Sequence, residues 1–224
     1  MSQSISLNTP LHTPLNTSLN DALNWRYAVN KFAHSILSSE QLNHLIESVR
    51  LAPSAYGIQP YQLLVISNPE TKQACLPFSY GQDKVAKCSH LLVLAHKTNV
   101  TQQDIAHFIE QLAKTQNKTA HQLSTYQTQI QADLLSRSSE EQNNWAQQQT
   151  YIALGILLAS AAASFIDACP MTGFEVDGIN EVLQLNQKGL SAAVLCPVGI
   201  RAENDVSAQR TKHRISQDQL VVNL

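Results

Sequence analysis

An α+β fold is what the sequence predicts, on three observations. Short uncharged runs at Leu63–Ile66, Ser89–Ala95 and Ala192–Cys196 read as buried strands. Longer stretches between them carry helical spacing, and these helices outnumber the strands. Helices and strands do not alternate strictly, which argues against a doubly wound α/β sheet. With 224 residues the chain can bury a sizeable core as one large domain, or as a domain with excursions.

The elements follow in order. Residues 1–17 repeat a loose four-residue rhythm of Leu, Asn or His, Thr and Pro or Ser, and read as a flexible leader. The start has no positive n-region and is broken by Pro10 and Pro14, so it is not a signal peptide. The folded domain is assigned to 18–224. A first helix begins near Ser18, with Asp21 where the helix dipole favours a carboxylate, and ends around Arg26. Ser38-Ser-Glu-Gln41 forms a capping box for a helix through Leu42, Leu45, Ile46, Val49 and Leu51, stopped by Pro53. A strand at 61–67 follows, then a short helix opened by Pro69, then the strand at 89–95. From Thr101 to Ser136 the pattern is helical but rich in Gln and Thr, either a mobile arm over a pocket or a solvated helix pair. A buried helix is expected from about Glu140 to Ile166; its apolar part is shorter than the ~20 residues a membrane span needs. Gly155, Ala159 and Ala163 recur in it every four residues, for close packing either within one subunit or across a dimer. A short helix near 177–184, the strand at 192–196 and an apolar tail, Gln219–Leu224, complete the chain. That tail is suited to add a strand to a sheet, its own or a partner's.

Composition narrows the function classes. The net charge is −2 and no dense Lys/Arg run occurs, so nucleic acid and anionic membrane are not expected partners. Four separated cysteines (75, 88, 169 and 196) without a C-x-x-C read as reduced thiols of a cytoplasmic protein. The seven glycines form neither G-x-G-x-x-G nor a P-loop, and the histidines show no metal-ligand spacing. No G-x-S-x-G elbow is present.

The positive features are cationic and turn-rich. Arg26 stands between Trp25 and Tyr27. Lys212 and Arg214 lie two apart in an extended stretch, which puts both side chains on one side. Each alone suits a solvated surface; together the three cations suit a phosphate monoester. Ala52-Pro-Ser-Ala-Tyr-Gly-Ile-Gln-Pro60 is a loop leading into a buried strand, a place where backbone groups meet a flat ligand.

These segments resemble the motifs of the FMN-dependent nitroreductase family, in its order. Trp25-Arg-Tyr-Ala-Val-Asn-Lys-Phe32 is similar to the opening of its NAD(P)H-dependent flavin reductases, and Pro53–Pro60 to its P-S-x-x-x-x-Q-P loop. Cys169-Pro-Met-Thr-Gly-Phe174 resembles its P-[MI]-E-G-F turn, and Lys212-His-Arg214 its terminal K-x-R. The resemblance implies a central, mostly antiparallel sheet flanked by helices, in a homodimer to which the C-terminal strand is exchanged. It implies bound FMN, with Arg26, Tyr27 and Ala28 at the phosphate and ribityl chain and Lys212 and Arg214 completing the phosphate site. Pro53, Ser54, Ala55 and Gly57 would line the isoalloxazine from the other subunit, with Tyr56 beside the substrate cavity. Pro170, Met171, Thr172 and Gly173 would cover the opposite flavin edge, one backbone N–H facing N5. Lys84 would stand near the N1–C2=O edge.

Three positions depart from the family pattern. Asn30 replaces a Lys or Arg beside the flavin pyrimidine, Thr172 replaces a Glu, and Gly81 falls where an amide side chain is expected, with Gln82 as its substitute. The implied function is an oxidoreductase that passes hydride from NAD(P)H through flavin N5 to a nitroaromatic, quinone or enone-like acceptor, with no protein nucleophile. The departures motivate an alternative, an FMN-binding carrier or sensor with little turnover.

Overall fold

Helix starts in this chain are set by side chains that accept first-turn amides otherwise left without partners. In the computed structural model, which describes residues 18–224, Ser18 and Asp21 form a reciprocal capping box that opens α1 (Leu19–Trp25). Ser38 and Gln41 do the same for α2 (Ser39–Arg50), and Asn68 with Pro69 opens α3 (Pro69–Cys75). Thr101 with Asp104 caps α5 (Gln102–Thr115), and Ser138 with Glu141 caps α7 (Ser139–Ala163). The remaining helices are α4 (Lys84–Lys87), α6 (Ser124–Leu134), α8 (Val176–Val182) and α9 (Gln217–Leu220). The predicted leader lies outside the described residues.

Among the described residues four strands form one antiparallel sheet in the order β1-β2-β4-β3. They are β1 (Tyr61–Ile66), β2 (His90–Lys97), β3 (Asp167–Ala168) and β4 (Leu190–Gly199). Successive side chains of a strand point to opposite faces. Leu91, Val93 and Ala95 therefore join one apolar cluster with Val29, Phe32, Met171 and Ile179. Leu92 and Leu94 join a second, with Leu45, Val49, Leu154 and Leu157 from α2 and α7. Helices cover both faces, so β2 reads as an unbroken apolar run rather than an alternating one.

The polar segment 101–136 folds as a helix pair with an apolar cluster of its own. Ile105, Ile109, Ile130 and Leu134 pack there against Trp145, and the Gln and Thr residues face outward.

The expectation of a wholly buried helix at 140–166 needs correction. α7 buries Ala153, Leu154, Leu157 and Ala161, but Tyr151, Ile152, Gly155 and Ile156 lie exposed on its other side. No described residue comes within 4 Å of a Cβ built on Gly155, so among the described residues this glycine makes no close packing seam. The helix ends earlier than expected because Phe165 turns left-handed, with φ 53°. At the C-terminus α9 and the exposed Leu220, Val221, Val222 and Leu224 form no strand with the chain's own sheet. No helix among the described residues is long and apolar enough to cross a membrane.

Candidate functional site

α1 delivers Arg26 to the β3 edge of the sheet. From there the chain runs along that edge: Ala28 bridges Ala168, Phe32 bridges Arg201, and the Ala33 amide donates to the Ile200 carbonyl at 2.8 Å. Asp205 fixes this turn. Its Oδ2 accepts from the Asn30 amide at 2.9 Å, the Lys31 amide at 3.3 Å and the Tyr27 hydroxyl at 3.1 Å, while Oδ1 accepts from the Ser207 amide at 3.0 Å. Burial alone would raise this carboxyl's pKa, but these donors outweigh it and hold it below the ordinary range.

The Trp25 and Tyr27 rings have a structural task. The Arg201 guanidinium lies 4.2 Å from one ring centroid and 4.5 Å from the other, and pairs with buried Asp167 at 2.6 Å. Burial outweighs that pairing and pushes the Asp167 carboxyl up. The Tyr27 side chain is thus committed to Arg201 and Asp205, which leaves its backbone for any ligand.

Arg26, Lys212 and Arg214 lie close enough to act on one another's charge. Burial lowers the pKa of Arg26, and the charge of Arg214 lowers it further; Lys212 is lowered by burial and then by both arginines. Among the described residues none of the three pairs with a carboxylate. Lys212 has a second task that its sequence did not reveal. Its Nζ donates to the carbonyls of Leu23 (2.5 Å), Asn24 (3.0 Å) and Arg26 (2.5 Å), closing the C-terminus of α1. The result is an uncompensated cationic group at a fixed place, suited to an anion with several oxygens.

Beside it, Lys84 Nζ donates to Asn30 Oδ1 at 2.9 Å, and Asn30 Nδ2 donates to Ser207 Oγ at 2.7 Å. Asn30 therefore supplies no charge of its own but orients the lysine that does. Gln82 Nε2 donates to the Gly173 carbonyl at 3.3 Å, which ties the stretch after Gly81 to the 170–173 turn. In that turn the Met171 side chain is buried and its amide donates to Leu195 at 2.7 Å. Pro170 has no N–H, so a backbone donor to a ligand here must come from exposed Thr172 or Gly173. Of the four residues expected at that edge, Met171 is the one whose side chain and amide are both engaged within the fold.

The 53–60 loop is built separately. The Ala55 amide donates to Gln149 Oε1 at 2.8 Å, the Gln59 amide to Ser54 Oγ at 2.9 Å, and Gln59 Nε2 to the carbonyls of Arg50 and Ala52. Tyr56, Gly57 and Gln59 all have positive φ. Pro53 and Gly57 are exposed, and Tyr56 packs with Phe108 and Tyr126 against the α5–α6 pair. This loop enters β1, at the opposite edge of the sheet from β3. Three strand spacings, about 14 Å, separate those edges. One chain thus assembles Arg26, Asn30, Gln82, Lys84, Thr172, Lys212 and Arg214 in one place and the 53–57 loop in another.

Sequence reasoning missed Asp205, Ser207, Gln149 and Arg201. Gln149 closes the run Gln147-Gln-Gln149, which reads as the polar border of an apolar helix. The others act through partners far along the chain, with no local pattern to mark them.

A family model described as the nitroreductase family matches residues 23–200. A protein named as a candidate NAD(P)H nitroreductase from Staphylococcus saprophyticus is 29% identical over 210 residues, covering 88% of this chain and 93% of that one. Among solved structures, a candidate nitroreductase from Exiguobacterium sibiricum in complex with FMN aligns with a TM-score of 0.79 at 18% identity, covering 95% of this chain and all of that one. An enone reductase of gut-bacterial fatty acid saturation aligns with a TM-score of 0.78 at 19% identity, covering 93% of this chain and 99% of the other.

Proposed function

Because the chain belongs to the nitroreductase family, a family of oxidoreductases, we propose that residues 18–224 bind FMN and act as an NAD(P)H-dependent reductase of electron-poor acceptors. When bound, FMN supplies hydride-transfer chemistry between a nicotinamide donor and a nitroaromatic, quinone or enone-like acceptor. The observation that carries the reading is the group of Arg26, Lys212 and Arg214 without a carboxylate partner, next to Lys84. Its donor chemistry fits a phosphate monoester attached to a ring system that gains negative charge on reduction.

In this reading Arg26, Lys212 and Arg214 bind the phosphate, and the backbone at Tyr27 and Ala28 follows the ribityl chain. Lys84, aimed by Asn30, places a positive charge at the pyrimidine edge and favours the reduced, anionic ring. Gln82 holds the 170–173 turn, where Thr172 or Gly173 offers an amide to N5. The Asn30 departure is thereby answered by an oriented Lys84, which favours an enzyme over a carrier.

A homodimer completes the site. Its support is the separation of the two site halves to opposite sheet edges, so that the 53–57 loop of a second copy is needed over the ring. The exposed apolar side of α7 and the apolar tail offer the interface. The four buried thiols accord with a cytoplasmic setting. Steady-state oxidation of NADH and NADPH with a quinone or nitroaromatic tests the proposal. Turnover supports the reductase, and bound FMN without turnover with either donor refutes it.

A further inference from the structure

Arg201, just past the end of β4, binds no ligand in the cofactor reading, yet its surroundings converge on Arg26. Its Nε donates to Asp167 Oδ1 at 2.8 Å and its amide to Oδ2 at 2.7 Å, which fixes the residue against β3. The Trp25 and Tyr27 rings both lie over its guanidinium, at 4.2 and 4.5 Å. Each ring has a second hold. Phe165 meets Trp25 edge to face at 5.0 Å, and the Tyr27 hydroxyl donates to Asp205 at 3.1 Å.

Those two rings belong to the residues on either side of Arg26. Arg26 has extended backbone, φ −68° and ψ 146°, in which successive side chains point to opposite sides. Holding Trp25 and Tyr27 on Arg201 therefore turns the Arg26 side chain away from it. The Arg26 backbone is engaged as well: its amide donates to the Ala22 carbonyl at 3.0 Å, and its carbonyl accepts from Lys212 at 2.5 Å.

We infer that Arg201, tied to Asp167 and covered by the Trp25 and Tyr27 rings, is a positioning residue that presets the direction of the anion-binding Arg26. The inference rests on the proposed FMN phosphate site. A side chain directed in advance loses less freedom when the anion arrives. Lysine at 201 keeps the charge but lacks the planar face that stacks on both rings.

The test compares FMN with riboflavin, which has the same ring and ribityl chain but no phosphate. Dissociation constants for both are measured by flavin fluorescence on the full-length protein freed of cofactor. The variants are Arg201→Lys, Arg201→Met paired with Asp167→Asn, Arg26→Ala, and Arg26→Ala with Arg201→Lys. The paired replacement leaves no buried carboxylate without its partner. FMN affinity should fall about tenfold in Arg201→Lys and in the paired variant, the scale of ordering one long side chain anew. Riboflavin affinity should stay within about twofold, because the ring contacts are untouched. Without Arg26, Arg201→Lys should change FMN affinity by less than about twofold, since nothing is left to direct. Equal losses for both flavins, or an FMN loss that persists in full without Arg26, overturn the positioning role, because a purely structural residue acts that way. Should Arg201→Lys fail to fold, the paired variant carries the comparison. A wild type that binds neither flavin, or binds FMN no better than riboflavin, refutes the phosphate site and this inference with it. A wild type that prefers FMN, with the same preference kept in the Arg201 variants, refutes the role of Arg201 alone.

Discussion

Replacing Asp205 by alanine removes an acceptor that four donors share. The carboxylate is 3% exposed and receives the Asn30, Lys31 and Ser207 amides together with the Tyr27 hydroxyl. Hydrogen bonds to a charged group contribute about 1.5–3 kcal/mol each, but they are not additive around one acceptor. The Asn30 and Lys31 donors lie in exposed residues and regain water when the carboxylate is lost, so a net loss of about 3–5 kcal/mol is expected. For a domain of this size that corresponds to a Tm lower by roughly 10 °C. Asp205→Asn keeps an acceptor oxygen and should lose about half as much. Urea unfolding with the slope held common gives the difference directly. The effect should reach the site, because the same carboxylate fixes the turn that places Asn30 and, through it, Lys84. A stability loss below about 1 kcal/mol for Asp205→Ala would refute the role assigned to this residue.

Other outcomes follow from the same geometry. Arg26→Ala combined with Arg214→Ala removes the two guanidinium groups proposed to hold the phosphate and should weaken FMN binding by about 100-fold or more, measured by equilibrium dialysis; unchanged retention refutes the phosphate site. Burial holds His90 and His96 below their ordinary value of 6.5, so the unfolded chain binds more protons beneath that pH. Their contribution to stability is complete above pH 6.5 and is lost as pH falls through the folded values, and the urea midpoint should decline accordingly. His96→Gln should flatten that decline, and an identical profile would count against the assignment. Burial pushes the Cys75 thiol to about 11 and Cys88 to about 12, with Cys169 and Cys196 raised as well. Native protein treated with iodoacetamide at mildly alkaline pH should therefore stay unlabelled by mass spectrometry, whereas urea-unfolded protein takes up four labels. Rapid labelling of the native protein would contradict the burial.

What could be read from the sequence was what local chemistry specifies. The capping box of Ser38 and Gln41, the N1 proline at Pro69 and the three long strands act within a few residues, and they lie where the patterns put them. β3 is only two residues long and exists by pairing with β4, so no periodicity could announce it. α7 is apolar on most sides, and composition cannot distinguish a face against the chain's own core from one left open; only the fold shows Ile152 and Ile156 uncovered. In the segment 101–136 the outward Gln and Thr residues masked the inward row of isoleucines. At the site, Arg26, Lys84, Lys212 and Arg214 were visible as residue types carried by the resemblance. Their supports were not, because Asp205 lies 175 positions from Asn30 and Lys212 lies 189 from Leu23.

The central claim is that this chain holds FMN and that NAD(P)H reduces it there. The visible absorption spectrum of the dialysed protein, taken in air and again anaerobically after addition of NADH or NADPH, tests it most directly. A retained flavin band that bleaches with one or both donors is the predicted result. Protein that carries no flavin after purification and takes up none from added FMN would contradict the account.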